Sequence, residues 1–348
     1  MDEKVYIIIL NYNNWVDTIE CLESVFRNEY SNYQVIVVDN NSTDNSMEYI
    51  KSWTEGTLDI WVNPKHPLRN LSFPPIKKPI SYIFYTKETA EKSGDSEKEK
   101  EIIKNVPNNT TSNHPLVLIQ AIENRGFSAG NNIGIKYASA KNDFEYIWLL
   151  NNDTVIKKNT LVNLINCANS KGKKYGMFGT TLLYYDKPDL IQALGGKFNK
   201  YFATGKHKFA KQKLNEINEN NIQKVDYIIG ASLLMRKEFI ENIGLLSEDY
   251  FIYYEEIDLA FRAQKKGYKM FICNESIVYH KEGATINKTE FSDFYAIRNR
   301  KLLIKKYYPF YIPFIYIGYV IAIFNRLKRK EFKKAYNIIK IIFGKNKP

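Results

Sequence analysis

The chain has 348 residues, 44% hydrophobic, 14% aromatic and 25% charged, enough for one large catalytic domain plus an appendage. Its net charge of +12 is confined to one end: residues 298–348 carry 14 Lys and Arg against one acid, Glu331, leaving 36 basic and 37 acidic groups elsewhere. That confinement argues against nucleic acid and for anionic lipid headgroups beside the tail. Cys21, Cys167 and Cys273 show no metal-ligand spacing and are expected to be reduced thiols. The N-terminus has no basic-then-apolar leader, so a cytoplasmic location is expected, peripheral on the inner face of the membrane.

Residues 5–10 are an apolar run that gives way to Asn11-Tyr12-Asn13-Asn14, the pattern of a buried strand ending in a functional loop. Asp17, with Glu20 three residues on, resembles a capping box for a helix carrying Ile19, Leu22, Val25 and Phe26. Residues 34–38 read as a second strand ending on Asp39, and Ser42-Thr43-Asp44 opens the next helix. This β-α-β-α start predicts an α/β fold built on a doubly wound sheet.

Residues 55–115 break the rhythm. They hold seven of the eleven prolines, too many for regular elements, and read as a long insertion, solvated or functional. The alternation then resumes: strands over 116–122 and 146–150, and helices over 127–140 and 160–168. Further strands are expected over 177–184, 227–235, 268–273 and 276–279, with helices over 237–243 and 255–266. Residues 307–325 carry no charge, and Phe332, Tyr336, Ile339 and Phe343 follow at helical spacing opposite lysines. Pro309, Pro313 and several tyrosines favour a segment lying in a membrane interface over one that spans it; the alternative is a helix pair packed on the domain. The expected division is a catalytic domain over 1–290 and a basic, apolar extension over 291–348.

Ligands of open α/β sheets bind beyond the carboxyl ends of the strands. Three polar clusters fall there: Asn11 to Asn14, Asp39 to Asn41, and Asn151-Asn152-Asp153. Asp39 suits hydrogen bonding to a nucleobase or ribose. Asn124, Arg125, Gly130 and Asn131 lie in a Gly-containing loop that opens a helix, a place for an anion such as a diphosphate. Asp153 beside amide oxygens suits a hard divalent cation. His280 follows a short strand; alone, such a histidine is more often structural. Glu255, Glu256 and Asp258 crowd three acids at one helix start. Dipole complementation explains one or two of them, while crowding raises carboxyl pKa values and suits a general base.

These residues sit in VYIIILNYNN, VIVVDNNSTDNS, ENRGFSAGNNIG, YIWLLNNDT, the long stretch 225–268 containing YYEEIDLAFRAQKKGY, and IVYHKEGATI. In that order they resemble the family 2 glycosyltransferases, especially the rhamnosyltransferase-like branch, over most of 1–286 outside the insertion. The resemblance implies a GT-A fold and an inverting, Mg²⁺- or Mn²⁺-dependent transfer from a nucleotide sugar to a glycan or lipid-linked acceptor. It implies that Asn11, Asn13, Asp39, Asn41, Asn124, Arg125, Gly130, Asn131 and Asn152 hold the donor. Asp153, Asn151 and His280 would serve the metal, Glu256 the base with Glu255 before it, and Gly230 and Asp258 the acceptor. Two departures stand out: Asn151 replaces the first acid of the Asp-x-Asp motif, and Glu256 replaces the commoner Asp. A sugar nucleotidyltransferase would need a Gly- and Arg/Lys-rich first loop, which Asn11 to Asn14 is not. A non-catalytic glycan- or nucleotide-binding scaffold would need no acid cluster.

Overall fold

A computed structural model describes residues 3–105, 109–218, 222–281 and 290–344. Parts of the insertion (106–108), of the IVYHKEGATI stretch (282–286) and of the tail (345–348) lie outside the described residues. The first half runs β1 (Val5–Asn11), α1 (Trp15–Val25), β2 (Tyr33–Asp39), α2 (Ser46–Glu55), β3 (Tyr82–Thr86), α3 (Lys87–Glu91), α4 (Ser96–Asn105), β4 (Leu116–Gln120) and α5 (Phe127–Lys141). The second runs β5 (Tyr146–Leu150), β6 (Thr154–Ile156), α6 (Thr160–Asn169), β7 (Tyr175–Tyr184), β8 (Ile191–Ala193), β9 (Gly196–Asn199), β10 (Thr204–His207), β11 (Ser232–Arg236), α7 (Lys237–Ile243), α8 (Glu255–Lys265) and β12 (Lys269–His280). Three helices close it: α9 (Glu290–Tyr307), α10 (Ile312–Lys328) and α11 (Phe332–Ile342).

The main sheet has the order β3-β4-β2-β1-β5-β11-β7-β12-β6. The β3-to-β5 half is parallel, and β11 enters antiparallel to both β5 and β7, so the sheet is mixed. Its central strands are apolar almost throughout because both faces are covered. On β1, Val5, Ile7 and Ile9 enter one core while Tyr6 and Ile8 enter the other. Register sets Asn11 beside Asp39, so two of the polar clusters meet at one sheet edge.

The insertion is no solvated excursion. β3 extends the sheet by pairing with β4, and a buried acid on α1 pins the rest. The Glu23 carboxylate accepts from Trp53 Nε1 (2.9 Å) and Lys78 Nζ (2.5 Å) on one oxygen, and from Arg27 (3.1 Å) and the Ile76 amide (2.8 Å) on the other. Removing it takes the close partner from the low-exposure Lys78 cation and leaves only Asp59, 3.8 Å away, among the described residues. Glu23→Ala is expected to cost about 3–5 kcal/mol of stability, read as a lowered urea midpoint.

Several sequence expectations need correction. Helix α1 begins at Trp15, before Asp17, so Asp17 and Glu20 form no capping box. Residues 227–231 leave the ladder, although Tyr227, Ile228 and Ala231 are buried: Tyr227 bridges to Gly196, and only Ser232–Arg236 pairs as a strand. The two short strands over 268–279 are one, β12, with a register irregularity between Cys273 and Ile277. Cys167 of α6 and Cys273 of β12 are disulfide-bonded, leaving only Cys21 as a thiol.

Candidate functional site

At the carboxyl edge of β1 and β2, Asp39 is buried and fully engaged. Its Oδ1 accepts from Asn11 Nδ2 (2.7 Å) and Ser42 Oγ (2.6 Å), and its Oδ2 from the Ser42 amide (3.0 Å) and Gln120 Nε2 (2.8 Å). Asn11 in turn accepts from Thr18 Oγ1 at 2.8 Å. Asn13, at positive φ, donates its backbone amide to Ser42 Oγ and accepts from the Thr43 amide through Oδ1. The pair therefore stiffens the two loops, with Asn13 and Asn41 on their exposed side.

Asn40, missed in the sequence, ties in the next loop: its Nδ2 donates to Asn124 Oδ1 (2.9 Å) and to the Gly126 carbonyl (3.2 Å). Gly126 has φ +93°, and a Cβ there would fall 2.1 Å from the Phe251 carbonyl oxygen. That same oxygen accepts from the Phe127 amide at 2.7 Å. The first turn of α5 is thus partly capped from inside. Gly130 is a packing residue rather than a ligand cradle, since a Cβ would meet Leu10 Cδ1 at 2.4 Å. Asn131 is buried and donates to the Phe127 carbonyl. Arg125 stays half exposed, 3.5 Å from Glu248 and 3.6 Å from Glu123, at the mouth of a cavity of about 190 Å³.

The third cluster follows β5. Asn152 turns into the fold, donating to Thr18 Oγ1 at 2.9 Å. Asp153 faces β12: its Oδ1 lies 3.1 Å from His280 Nε2 and accepts no hydrogen bond. His280 Nδ1 is 2.7 Å from Gln192 Oε1, an amide oxygen that can only accept. With Nδ1 turned to Gln192, Nε2 is the nitrogen that His280 presents to the Asp153 carboxylate. A carboxylate and a neutral imidazole so placed can share a cation, and the Gln192 contact is of the kind that orients a ligating imidazole. Asn151 lies beside them, with no side-chain bond among the described residues. Among the described residues no group of three or more His, Cys, Asp or Glu is placed to hold a metal.

Next to His280, Lys281 donates to Asp17 Oδ1 (2.6 Å) and to Glu20, and its amide bonds the Asp153 carbonyl at 2.9 Å. Burial opposes its charge, but the Glu20 and Asp17 carboxylates outweigh that and raise its pKa. Glu20 also accepts from Tyr185 (2.6 Å) and from Ser72 (3.0 Å), and His66 stacks on Tyr185 at 4.1 Å. The insertion thereby walls the site on this side. These partners lie far apart in sequence and give no local signal.

At the start of α8, Tyr253 and Tyr254 hold left-handed φ values of 67° and 77°, an unfavourable conformation for bulky residues. Asn299 of α9 fixes it by donating to the Ile252 and Tyr253 carbonyls, and Tyr254 Oη donates to the Ala203 carbonyl at 2.6 Å. This turn presents Glu255 and Glu256. Burial raises both pKa values, and the Glu256 charge raises Glu255 further; the bond between the carboxyls raises Glu255 and lowers Glu256. The pair therefore retains a proton well above the usual carboxylate range, with Glu256 raised to about 7. One oxygen of each is buried without a hydrogen-bond partner. Asp258 is a correction. At 0% exposure it is held by Arg262 (2.8 Å), Lys306 (2.6 Å) and Tyr307 (2.8 Å), so it joins α8 to α9 and faces no acceptor.

The pieces converge through Gly230. A Cβ there would lie 3.9 Å from both Glu256 Cβ and Phe127 Cε1, and the next residue's carbonyl accepts from the Asn151 amide at 3.0 Å. Gly230 thus packs against both Glu256 and the start of α5, and its neighbour Ala231 is bonded to the loop after β5 that carries Asp153. This is the layout of a GT-A fold, in which a mixed sheet presents its carboxyl edge to a nucleotide-linked substrate.

Residues 95–300 match the model of the glycosyltransferase-like family 2, and residues 6–65 that of glycosyl transferase family 2. The chain belongs to glycosyltransferase family 2. It is 26% identical over 183 residues to the low-salt glycan biosynthesis hexosyltransferase Agl10 of Haloferax volcanii, covering 51% of this chain and 57% of that one. To the rhamnosyltransferase WbbL of Escherichia coli K12 it is 27% identical over 156 residues, covering 42% and 56%. These matches span little more than half the length of those relatives. Among solved structures, the mannosyltransferase PcManGT of Pyrobaculum calidifontis, in complex with GDP-Man and Mn²⁺, superposes with a TM-score of 0.51 at 12% identity over 99% and 87% of the chains. GalNAc-T7 with UDP, GalNAc and Mn²⁺ gives 0.55 at 13% identity, over 90% and 50%. At such identity these likenesses establish the fold.

Proposed function

We propose that the chain is an inverting glycosyltransferase. It moves a sugar from a nucleoside-diphosphate donor, a UDP- or dTDP-sugar such as dTDP-rhamnose, to a glycan or lipid-linked saccharide in cell-surface polysaccharide or glycoconjugate synthesis. Residues 1–290 form the catalytic domain, and 291–348 an extension that keeps it on the cytoplasmic face of the membrane. The observation that carries the reading is the crowding of Glu255 and Glu256 at the start of α8, with Glu256 packed beside Gly230, together with the Asp153–His280 contact.

Glu256 takes the proton of the acceptor hydroxyl, that oxygen attacks the anomeric carbon, and the bond to the diphosphate oxygen on the opposite face breaks. Gly230, lacking a side chain, leaves room for the acceptor beside Glu256. Asp153, His280 and Asn151 are the residues that would hold a Mg²⁺ or Mn²⁺ ion, which would supply positive charge to offset that of the departing diphosphate. Arg125 adds a cation from the α5 side. Asn13, Asn41 and Asn124 bind the nucleoside, while Asn11 and Asp39 shape the loops that hold it.

The test is calorimetric titration of UDP, dTDP and GDP, each with and without Mg²⁺ or Mn²⁺. One nucleotide is expected to bind with metal dependence, and its base narrows the donor sugar. Binding of none would end the transferase reading; metal-independent binding without transfer would favour a scaffold.

A further inference from the structure

We propose that α10, α11 and the tip of the β9–β10 hairpin form one docking surface for an anionic lipid bilayer, with α10 lying flat on the protein. The proposal extends the membrane part of the reading above to a segment outside the tail, and rests on that reading only for the choice of partner.

The observation is a continuous apolar face that none of the described residues covers. On α10 and the turn before it, Phe310, Phe314, Ile317, Ile321 and Phe324 recur at spacings of three and four, and all are exposed, Phe310 to 92%. On α11 the exposed stripe is Phe332, Tyr336, Ile339 and Phe343, the last at 85%. The opposite faces are spent on the protein. Ile315, Tyr319, Ala335, Ile338 and Ile341 are buried, Tyr319 Oη donates to the Ile297 carbonyl at 3.0 Å, and Arg326 pairs with Asp293 of α9. Pro309–Lys328 is long and apolar enough to cross a bilayer by composition. These inward contacts instead hold α10 along α9, as an interfacial helix lies.

The hairpin continues the face. The Tyr201 ring sits 5.1 Å from that of Tyr311 and 5.4 Å from that of Phe314, edge-on to both. A Cβ on Gly318 would touch the Phe202 ring at 3.2 Å, so glycine lets the hairpin close onto the helix. Tyr201 and Phe202 nonetheless remain exposed. An apolar face this large marks an interaction surface.

Charge selects the occupant. Lys328, Arg329, Lys330, Lys333 and Lys340 rim the two helices, and Lys200 sits 4.9 Å from the Tyr311 ring. The one acid of 298–348, Glu331, is already paired with Lys334 at 2.9 Å. A second copy would bring like charges together, whereas anionic headgroups neutralise them while the rings enter the acyl boundary. The hairpin also carries Ala203, whose carbonyl holds Tyr254 immediately before Glu255. A seated hairpin therefore fixes the carboxylate end of α8 relative to the bilayer.

The experiment is flotation of the full chain with phosphatidylcholine vesicles and with vesicles about one-third phosphatidylglycerol, without donor or acceptor. Binding to the anionic vesicles only, weakened by salt, is expected. The Tyr201→Ser/Phe202→Ser double variant, which changes no charge and lies outside the tail, is expected to partition about tenfold less. Ile317→Ser/Phe324→Ser is expected to do the same, with circular dichroism and nucleotide binding unchanged in both. Wild-type partitioning of the hairpin variant would overturn the proposal. So would absence of vesicle binding, or a concentration-dependent dimer that the Ile317→Ser/Phe324→Ser variant dissolves. Because no sugar transfer is measured, failure here is distinct from failure of the transferase reading.

Discussion

Glu256→Gln is expected to lower the transfer rate constant by about a thousandfold while leaving nucleotide affinity within about twofold of wild type. The substitution keeps the size of the side chain and removes only its capacity to accept a proton. Glu255→Gln is expected to cost about tenfold or less, because a protonated carboxyl and an amide both donate to Glu256. The reverse ranking would assign the base to Glu255. The wild-type rate should rise with pH through an inflection near 7, set by the burial-raised Glu256. Stability should move oppositely. The folded pKa lies above the ordinary carboxyl value of 4.5, so the folded state binds more protons between those limits, and its stability falls as pH rises from 4.5 to 7. Glu256→Gln should therefore be more stable than wild type at pH 8 by roughly 1–3 kcal/mol, read in urea unfolding. A variant both inactive and less stable at pH 8 would mean that Glu256 holds the turn together instead.

The sheet was legible because its strands are covered on both faces, and a run such as Tyr146–Leu150 has no other stable place. The strand ends were legible for the same reason, since polarity returns where the cover stops, at Asn11, Asp39 and Asn151. Apolar character reports burial, not pairing, and there the reading overran. Residues 227–231 are apolar because Tyr227 packs beside the hairpin and Ile228 and Ala231 enter the core, not because they join a ladder. The polar step at Asn274-Glu275 likewise only perturbs β12, whose register with β7 resumes at Ile277. The acid cluster at α8 was visible, but its division of labour was not. Asp258 is claimed by Lys306 and Tyr307, 48 and 49 residues away. Gln192, which meets His280 Nδ1, is 88 residues from it, and Cys167 and Cys273 are 106 apart. Such pairings are made by the packing of β8 and α6 on the sheet, and no local pattern announces them.

Asp153→Ala is expected to abolish the metal-dependent part of nucleotide binding, a loss of at least a hundredfold in affinity with Mn²⁺ and little change without it. Asp153 supplies the one fixed negative charge of the three candidate ligands, because Asn151 stands where the family motif has its first acid. A site with a single carboxylate depends on its imidazole more than a two-acid site does, so His280→Ala is expected to match it within about tenfold. Gln192→Ala separates ligation from packing. It touches no substrate and leaves both ligands in place, but frees the imidazole to rotate. A loss of about 10- to 100-fold in Mn²⁺ affinity is expected, with nucleotide binding in the absence of metal unchanged. Direct Mn²⁺ titration followed by electron paramagnetic resonance, in the presence of nucleoside diphosphate, reads all three variants without any transfer assay. Wild-type Mn²⁺ affinity in Asp153→Ala would move the cation elsewhere and leave the Asp153–His280 contact as a structural ion pair.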